Sequence, residues 1–354
     1  MKILVVSMAG IGDTLFATPL IHELRVNFPD ATIDALVLWS GSKDLLENNP
    51  HLNRIYQKNL IKTGKFEALR FLWSLRKNHY DVSINTYPQS RIHYRIVARI
   101  VGAPMRISHE YECFSPLDRW LVNCTLPQDY SKHSIENNFA ALQLLGAKIK
   151  LPSHEIEIFP TATEENWVDD FWASHKLANW KLLGVHIGSG GTKNLALRRW
   201  PLGNYRELIH RLSNRHPDLA ILFFGGQEED LDHKQIRVVA GKGNLFFPRT
   251  RNLRQVAAMI KKCDAFLSVD TSLMHLAAAM KVPRQIVIET PTWNKPIEPY
   301  GNPFVLVKNP AVAGRNLEFY RYDGRGIQGS DDELRRCMES VTVESVFDAI
   351  NKIF

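Results

Sequence analysis

Short apolar runs alternate with amphipathic segments along the first half of the chain. Apolar and β-branched residues fill residues 2–8, 32–38 and 81–87, whereas residues 14–27 and 66–78 repeat apolar side chains at helical spacing. Strands that alternate with helices in this way are typical of βαβ units around a mostly parallel sheet. The pattern predicts an α/β fold for this half.

The same alternation starts again in the second half. After Pro152 comes a stretch rich in Pro, Thr and Glu, and then a helical pattern that contains Trp167, Phe171 and Trp172. Two doubly wound domains explain this restart better than one continuous sheet. Four later apolar runs are typical of buried strands, namely 181–187, 220–224, 265–269 and 285–288.

The restart predicts how the chain is divided. We expect one domain over residues 1–160, a second over 161–330, and a C-terminal helix over 331–354 that packs back on the first domain. A length of 354 residues agrees with two domains, with one large α/β domain as the alternative. Ligands of such folds bind at the carboxyl ends of the strands, which here means the cleft between the domains.

Composition and charge narrow the class of protein. The chain is 45% hydrophobic and 23% charged, which is ordinary for a globular protein. Its formal net charge of +7 favours anionic partners, and charge alone does not choose among nucleic acid, nucleotides, phosphorylated sugars and an acidic membrane. The four cysteines are scattered, so we expect a reduced cytosolic protein without a structural metal.

The N-terminal run MKILVVSMAG imitates a signal peptide. Gly10, Gly12 and Asp13 interrupt it, and no small-residue cleavage site follows, so a buried first strand explains it better. No apolar stretch reaches the roughly 18 residues that span a bilayer. We therefore expect any membrane contact to be peripheral.

The first turn between strand and helix reads SMAGIGDT. Its glycines allow a tight turn, but the third glycine of the GxGxxG dinucleotide motif is missing. Asp13 at the mouth of the helix is equally well explained as a helix cap or as a base that faces the cleft.

Two segments of the second half place small or cationic residues after a strand. The loop HIGSGGT offers Ser189, Gly190 and Thr192 for close approach to a phosphate, although an ordinary turn explains it at least as well. In RRWP, Arg198 could neutralise a diphosphate, and a solvated pair of surface arginines is the simpler alternative.

The segment SVDTSLMH follows a buried strand and opens a helix of small residues. Asp270, Thr271 and Ser272 stand where unpaired N–H groups at a helix N-terminus would stabilise a diphosphate. His275 is as typical of a packed core histidine as of a ligand contact. In GGQEED, the Glu228 carboxylate could accept hydrogen bonds from ribose hydroxyls. The strong alternative is that Glu228 is simply an acidic residue in the first turn of a helix.

Basic residues gather in the first half. Arg91, Arg95 and Arg99 repeat at four-residue spacing, which usually marks a solvated helix face. Opposite a nucleotide-binding domain, the same stripe could bind a phosphorylated or carboxylated acceptor. Trp73, Tyr87 and Tyr94 could then stack on sugar rings.

Taken together, these segments resemble glycosyltransferase family 9, the ADP-heptose:lipopolysaccharide heptosyltransferases. The resemblance spans nearly the whole chain, and its specific parts are the opening KILVVSMAGIGDTLFATPL and the segment SVDTSLMH. It implies the GT-B arrangement, in which two Rossmann-like domains face each other across a cleft. The N-terminal domain would bind the acceptor and the C-terminal domain the nucleotide-sugar donor. The reaction would invert the anomeric centre without a metal or a cofactor.

The resemblance also implies roles for residues. Asp13 would be the general base, and Gly12, Arg91 and Arg95 would contact the acceptor. The remaining candidates would bind the donor: Ser189, Gly190, Thr192, Arg198, Glu228 (or Gln227), Asp270, Thr271, Ser272 and His275.

Three departures from the family pattern fall in the expected donor domain. Ser272 replaces a typical glycine, and Arg198 replaces a typical phosphate-binding lysine. The run IETPT ending at Thr292 stands where Phe-Gly-Pro-Thr is expected. The reaction type is therefore better supported than the identity of the sugar.

The expected function is inverting transfer of heptose or a related sugar, with ADP-heptose as donor, to a lipopolysaccharide core or another anionic surface glycan. We expect a cytoplasmic enzyme, with peripheral contact at the inner membrane and no nucleic acid partner. One alternative is a nucleotide-sugar-binding protein that has lost catalysis and serves in assembly. Another is a NAD-dependent oxidoreductase, which the missing GxGxxG disfavours.

Overall fold

A computed structural model of the chain describes residues 1–239 and 244–354. The chain forms two compact units, each built around its own sheet. The first unit contains Met1–Phe159 together with Tyr322–Gly324. The second contains Pro160–Arg321 together with Arg325–Phe354.

The first unit has six parallel strands in the order β3-β2-β1-β4-β5-β6. The strands are β1 (Lys2–Ser7), β2 (Thr32–Val37), β3 (Arg54–Gln57), β4 (Val82–Asn85), β5 (Met105–Glu110) and β6 (Cys124–Pro127). The helices are α1 (Ile11–Leu15), α2 (Thr18–Asn27), α3 (Ser40–Leu46), α4 (Lys65–Arg76), α5 (Ile92–Val101), α6 (Pro116–Leu121) and α7 (Ser134–Leu144).

The helix expected over residues 14–27 is divided into α1 and α2. Pro19 lies in the first turn of α2, where a residue without an N–H leaves no helical hydrogen bond unmade. The short α1 begins immediately after Gly10, so the helix start lies closer to the first strand than the apolar pattern predicts. As a result, Asp13 lies within α1 instead of ahead of a helix.

The second unit has six parallel strands in the order β12-β11-β10-β7-β8-β9. The strands are β7 (Lys181–His186), β8 (Leu219–Phe224), β9 (Leu245–Phe246), β10 (Ala265–Ser268), β11 (Arg284–Ile288) and β12 (Phe304–Val307). The helices are α8 (Ala162–Ser174), α9 (Leu202–Arg215), α10 (Asp230–Val239), α11 (Leu253–Ile260), α12 (Ser272–Ala279), α13 (Asn316–Phe319), α14 (Asp331–Glu339) and α15 (Val343–Asn351).

The two sheets have the same Rossmann-like topology. In each sheet the first strand along the chain pairs with the fourth, so β1 lies beside β4 and β7 lies beside β10. The strand order reverses at these pairs, and doubly wound folds bind their ligands at the carboxyl ends of strands at this point. Residues that follow β1, β4, β7 and β10 are therefore brought together within their own unit.

The tail of the chain forms two helices, α14 and α15, instead of the single helix expected over residues 331–354. Ser330 and Thr342 each cap the helix that follows, because their side chains accept hydrogen bonds from Glu333 N and Ser345 N. The tail packs in the core of the second unit, where Val346 and Ile350 are fully buried. This differs from the expected packing on the N-terminal domain, because the apolar stripe of α15 covers α9 and the β11–β12 edge of the second sheet.

The segment Tyr322–Gly324 belongs to the first unit although it is distant in sequence. Tyr322 N donates to the Tyr130 hydroxyl over 2.9 Å, and the two rings stack with centroids 5.8 Å apart. Sequence patterns did not predict this return of the chain.

Among the described residues, every helix is too short or too polar to cross a bilayer.

Candidate functional site

Asp13 lies at the third position of α1 and is partly exposed. Its Oδ2 accepts a hydrogen bond from Gly10 N over 2.6 Å, so the carboxylate does cap the helix. A β-carbon at position 10 would lie 2.9 Å from this same oxygen, which explains why glycine precedes the helix. The capping interpretation of Asp13 is confirmed, and its role as base stays a prediction.

The turn between β1 and α1 is held from two sides. The buried Gln89 side chain accepts from Met8 N over 3.2 Å, and Trp39 Nε1 donates to Ala9 O over 2.6 Å. Inside the turn, the Thr14 hydroxyl donates to Ser42 Oγ over 2.8 Å. These bonds hold Asp13 in position, because the backbone on both of its sides is anchored to neighbouring elements.

Tyr94 shares a neighbourhood with Asp13 and Arg91. Burial raises the pKa of the Tyr94 hydroxyl to about 12; the positive charge of Arg91 opposes the shift, and the negative charge of Asp13 adds to it. A carboxylate, a guanidinium and a phenol therefore lie close together in the first unit, near the carboxyl ends of β1 and β4.

Arg95 is not available to an acceptor. Its side chain is 1% exposed, forms an ion pair with Asp118 and donates to Ser90 O over 3.1 Å. The expectation that Arg95 contacts the acceptor therefore conflicts with its burial, and Arg95 instead positions the loop that leads into α5. The four-residue spacing that links Arg91, Arg95 and Arg99 does not distinguish a buried position from an exposed one.

Arg91 is the other basic candidate, at the start of α5, and it is half-buried. Its stem packs beside Gly324, where an added β-carbon would lie 3.2 Å from Arg91 Cγ. Gly12, the second residue of α1, is also half-buried. Tyr87, by contrast, is fully buried and has no face left on which a sugar ring could stack.

In the second unit, Arg198 and Asp270 form a central ion pair. Arg198 Nη1 donates to Asp270 Oδ2 over 2.8 Å, and the two side chains are only 12% and 8% exposed. The same Asp270 oxygen accepts from the Thr292 hydroxyl over 2.9 Å. The alternative of solvated surface arginines is therefore wrong for Arg198, because this pair is mostly shielded from water.

Thr292 is a site residue that the sequence did not single out. It follows β11 within the run that departs from the family pattern, and its hydroxyl also bonds to Thr290 Oγ1 over 2.8 Å. The signal that could have found it is its place after a buried strand, since the carboxyl ends of parallel strands meet at one edge of the sheet.

Arg199 organises the glycine loop after β7. Its Nη2 donates to Ser189 O over 3.1 Å and to Glu229 Oε1 over 3.3 Å. Gly188 is required beside them, because an added β-carbon would lie 2.2 Å from Glu229 Oε1. Ser189 is itself buried and donates to Leu195 O over 3.1 Å, so its side chain supports the loop.

Glu228 and Glu229 have different surroundings. The Glu228 side chain is 69% exposed, whereas that of Glu229 is 8% exposed and accepts from Gly226 N over 2.8 Å. Burial raises the pKa of the Glu229 carboxyl, with the Gly226 N–H and Arg199 acting against the shift. Glu228 is thus the accessible carboxylate of the pair, and Glu229 is the one that supports the loop.

Gly190 and Thr192 lie at the exposed tip of the same loop. A β-carbon on Gly190 would lie 3.9 Å from Arg198 Nη2, so the loop passes close to the guanidinium. The far end of the loop is tied to the C-terminal segment, because Asn194 Nδ2 donates to Ile327 O over 2.8 Å.

The start of α12 joins the same edge of the sheet. Thr271 is its N-cap, and the hydroxyl accepts from Met274 N over 3.4 Å and bonds to His186 Nδ1 over 3.1 Å. Ser272, the first residue of the helix, is half-buried. The Thr271 side chain therefore caps the helix and bonds to His186.

His275 is buried one turn into α12. Burial lowers its pKa to about 3, and the positive charge of Arg198 acts in the same direction. The imidazole is therefore neutral near pH 7, as expected of a packed histidine beside a cation.

Trp200, the third residue of the RRWP segment, anchors that segment in the core. It is 2% exposed in the core of the second unit, and its Nε1 donates to Val341 O over 2.8 Å. The buried indole fixes the backbone immediately after Arg198 and Arg199, so that both guanidinium groups are directed to the edge of the sheet where β7 and β10 end.

One group of side chains among the described residues has the composition of a metal site, although none of its members was predicted. His22, His51 and Glu157 place their ligand atoms within 4.8 Å of one another. His22 Nδ1 and Glu157 Oε1 are 2.8 Å apart, and the two imidazole rings stack with centroids 3.8 Å apart. The hydrogen bond between His22 and Glu157 by itself explains the group, because it fastens the segment after α7 to α2.

Comparison with known proteins adds to this geometry. The family model described as glycosyltransferase family 9 (heptosyltransferase) matches residues 68–318. Lipopolysaccharide heptosyltransferase 3 of Escherichia coli K12 is 28% identical over 290 residues, which cover 77% of this chain and 78% of that protein.

Two solved structures show the fold. A family 9 glycosyl transferase from Veillonella parvula aligns with a TM-score of 0.75 and 18% identity, over 99% of this chain and 96% of its own. The E. coli heptosyltransferase WaaC, solved with ADP-2-deoxy-2-fluoro heptose, aligns with a TM-score of 0.70 and 18% identity, over 99% of both chains. With its two parallel α/β sheets, the chain has the GT-B type of fold. Because the family model covers most of its length, the chain belongs to glycosyltransferase family 9, the heptosyltransferase family.

Proposed function

We propose that this glycosyltransferase transfers heptose from ADP-heptose to a lipopolysaccharide core or another anionic surface glycan, with inversion of the anomeric centre. The observation that carries the proposal is the Arg198–Asp270 pair beside the start of α12, at the carboxyl end of β10. Diphosphates bind where a helix N-terminus and a guanidinium converge. The heptosyl donor follows from the related E. coli enzyme, which was solved with an ADP-heptose analogue.

Arg198 retains hydrogen-bonding capacity for a donor. Asp270 and Thr292 occupy Nη1, whereas the buried Nε has no partner among the described residues. Leaving a buried charged donor without a hydrogen bond is costly. A hydrogen bond from this guanidinium to a phosphate oxygen would therefore stabilise the complex more than the same bond from an exposed arginine. We assign Arg198 and the backbone at Thr271 and Ser272 to the diphosphate.

The remaining donor contacts follow from exposure. Gly190 and Thr192, at the tip of the loop, are placed for the nucleotide, and the accessible Glu228 is placed for the ribose hydroxyls. Ser189 and His275 are buried, so we assign them to shaping the site. Asp270 is proposed to hold Arg198 in position for the diphosphate.

Asp13 is the proposed general base. The acceptor hydroxyl oxygen attacks the anomeric carbon on the face opposite the diphosphate, and its proton passes to the Asp13 carboxylate. The bond between the anomeric carbon and the phosphate oxygen breaks, and its electron pair leaves with ADP. Attack from the opposite face inverts the centre. Arg198 and the α12 dipole stabilise the charge on the leaving group, so we propose that the step requires no metal and no cofactor.

The acceptor is proposed to bind beside Asp13. Arg91 supplies a cation for a phosphate or carboxylate of the glycan, and Gly12 allows close approach to the backbone of α1. We propose that the enzyme works in the cytoplasm, at the inner membrane, where a lipid-linked acceptor would be presented.

The decisive experiment compares two substitutions at Asp13. Purified protein is mixed with a deacylated core glycan and either ADP-heptose or a panel of other nucleotide sugars, and release of the nucleoside diphosphate is measured. Asp13→Asn keeps an oxygen that can accept from Gly10 N, but it removes the base. We expect it to fold, to bind ADP normally, and to lose turnover by about a hundredfold or more.

Other outcomes would change the assignment. Normal turnover by folded Asp13→Asn protein would show that Asp13 is not the base. Tight nucleotide-sugar binding without transfer to any acceptor in a broad panel would instead favour a binding protein that serves in assembly.

A further inference from the structure

The outward face of α4 carries large hydrophobic side chains. The helix buries Leu72 and Leu75 in the core of the first unit, whereas Phe66 and Trp73 are 82% and 54% exposed. Leu69 lies between them at helical spacing and is also exposed. A surface helix normally presents polar residues to water on this side, so the stripe marks an interaction surface.

The neighbouring helices extend this surface. α5 packs against α4 on one side and against α6 on the other. Both α5 and α6 have a pair of exposed apolar residues at helical spacing, three or four positions apart. These pairs, the exposed residues of α4 and Ile61 shortly before α4 form what we call the α4–α6 face. Its members are Ile61, Phe66, Leu69, Trp73, Ile92, Ile96, Leu117 and Trp120.

Basic side chains are interleaved with these residues. Two acidic groups of the three helices are already paired, since Glu67 bonds to Lys58 and the buried Asp118 bonds to Arg95. The surface around the apolar residues therefore has a positive excess. The exposed or half-exposed cations are Lys62, Lys65, Arg70, Arg76, Lys77, Arg99 and Arg119.

Both exposed tryptophans lie beside an arginine. The Arg76 guanidinium carbon is 5.5 Å from the centroid of the Trp73 ring, and that of Arg99 is 4.7 Å from the Trp120 ring. Indole rings favour the boundary between lipid headgroups and acyl chains, and an adjacent guanidinium can bind a lipid phosphate there.

We infer that the α4–α6 face binds the surface of an anionic phospholipid bilayer. Its apolar side chains enter the headgroup boundary, and its Lys and Arg residues bind lipid phosphates. A protein partner fits less well, because lysine is depleted from protein interfaces, whereas Lys62, Lys65 and Lys77 surround the apolar residues here.

The position of α5 connects this face to the proposed acceptor site. Arg91 occupies the N-cap position of α5, and Ile92 of the α4–α6 face is the next residue. A glycan attached to a lipid in the same bilayer would therefore have its charged groups held near Arg91. This connection rests on the proposed function, whereas binding to lipid does not.

The test is co-sedimentation of the full chain with vesicles. One set contains phosphatidylglycerol and phosphatidylethanolamine, and the other contains phosphatidylcholine alone. We expect binding to the anionic set, weaker binding to the neutral set, and a decrease with added salt. The triple variant Phe66→Ser, Leu117→Ser and Trp120→Ser should lose about tenfold or more in partitioning to anionic vesicles.

A matched control lies in the second unit. Leu231 and Val238 on α10 are 70% and 85% exposed, so Leu231→Ser with Val238→Ser removes exposed apolar surface at a different place. This control should bind vesicles as the unchanged protein does. Equal binding by the triple variant, or no binding by the unchanged protein, would overturn the inference. So would a dimer in sedimentation velocity that only the triple variant abolishes, because that result assigns the face to a protein contact.

Failure of this inference differs from failure of the proposed function. Turnover with a deacylated acceptor does not require lipid, so the triple variant should retain it. Vesicle binding does not require a sugar donor, so it should persist in Asp13→Asn. If the unchanged protein turns over substrate but does not bind vesicles, the lipid surface is contradicted. If it binds vesicles but does not turn over substrate, the proposed reaction is contradicted.

Discussion

Arg198 and Asp270 are 72 positions apart in sequence, yet their side chains form a mostly buried ion pair of 2.8 Å. Arg198 precedes α9, and Asp270 follows β10, so the folded sheet is what brings them together. The pairing directs Nη1 of the guanidinium at a carboxylate, whereas Nε has no partner among the described residues. Several measurements depend on this arrangement.

Replacing Arg198 should weaken donor binding. A charge-assisted hydrogen bond to phosphate contributes about 1.5–3 kcal/mol, so Arg198→Ala should raise the dissociation constant for ADP by roughly ten- to a hundredfold. Arg198→Lys keeps the charge but loses the planar geometry, and it should have a smaller effect. Calorimetric titration with ADP measures both. Arg211→Ala removes an exposed arginine of α9 and should leave the dissociation constant for ADP unchanged. Equal weakening of ADP binding by this control would contradict a specific role for Arg198.

A methyl group at position 10 should disturb Asp13. In Gly10→Ala the new β-carbon would lie 2.9 Å from Asp13 Oδ2, so the carboxylate must move. We expect kcat to decrease about tenfold or more while the affinity for ADP is unchanged, because misplacing a reacting group by a fraction of an ångström slows catalysis. Steady-state kinetics with a deacylated acceptor measures this change. Gly203→Ala is the control, since nothing lies within 4 Å of its added β-carbon.

Substitutions of the adjacent residues Glu228 and Glu229 should affect different properties, ADP affinity for the first and thermal stability for the second. Glu228→Gln changes an exposed side chain, so it should weaken ADP binding several-fold without altering the melting temperature. Glu229→Gln changes a buried partner of Arg199 and Gly226, so it should lower the melting temperature by several degrees. Thermal unfolding and nucleotide titration of both variants separate the roles. Weak ADP binding by a fully stable Glu229→Gln protein would reverse the assignment.

Buried histidines should make the protein sensitive to acid. Burial lowers the pKa of His109 from 6.5 to about 4, and that of His186 to about 3. Below pH 6.5 the unfolded chain therefore binds more protons than the folded one. Stability that is fully present above this pH is lost as the pH falls towards 4.

The contribution of one histidine can be measured by substitution. His109→Gln keeps a donor for Asn137 O but cannot titrate, so its melting temperature should depend less steeply on pH than that of the unchanged protein. His210→Gln, which replaces an exposed histidine, should leave the slope unchanged. A steeper slope in His109→Gln would contradict the sign of the effect.

The alternation of apolar runs and amphipathic segments was sufficient to predict two Rossmann-like sheets. Interior strands such as β1, β7 and β8 are almost fully buried, and their apolar runs were found within a residue or two of their bounds. The four edge strands β3, β6, β9 and β12 were missed, because short, half-exposed strands give only a weak apolar signal. The β5 strand was missed because buried polar residues interrupt it, among them Arg106 and His109.

The sequence by itself determined which chemical groups stand after which strands, because glycine turns, helix caps and apolar runs are local properties of the chain. Only the tertiary structure decided which of these groups meet. Arg91 and Arg95 share one helical spacing, yet packing against Asp118 buries the second. Thr292 joins Arg198 and Asp270 because β11 lies beside β10 in the sheet. Burial and long-range pairing depend on strand order and on the packing of whole helices, and no local pattern specifies either.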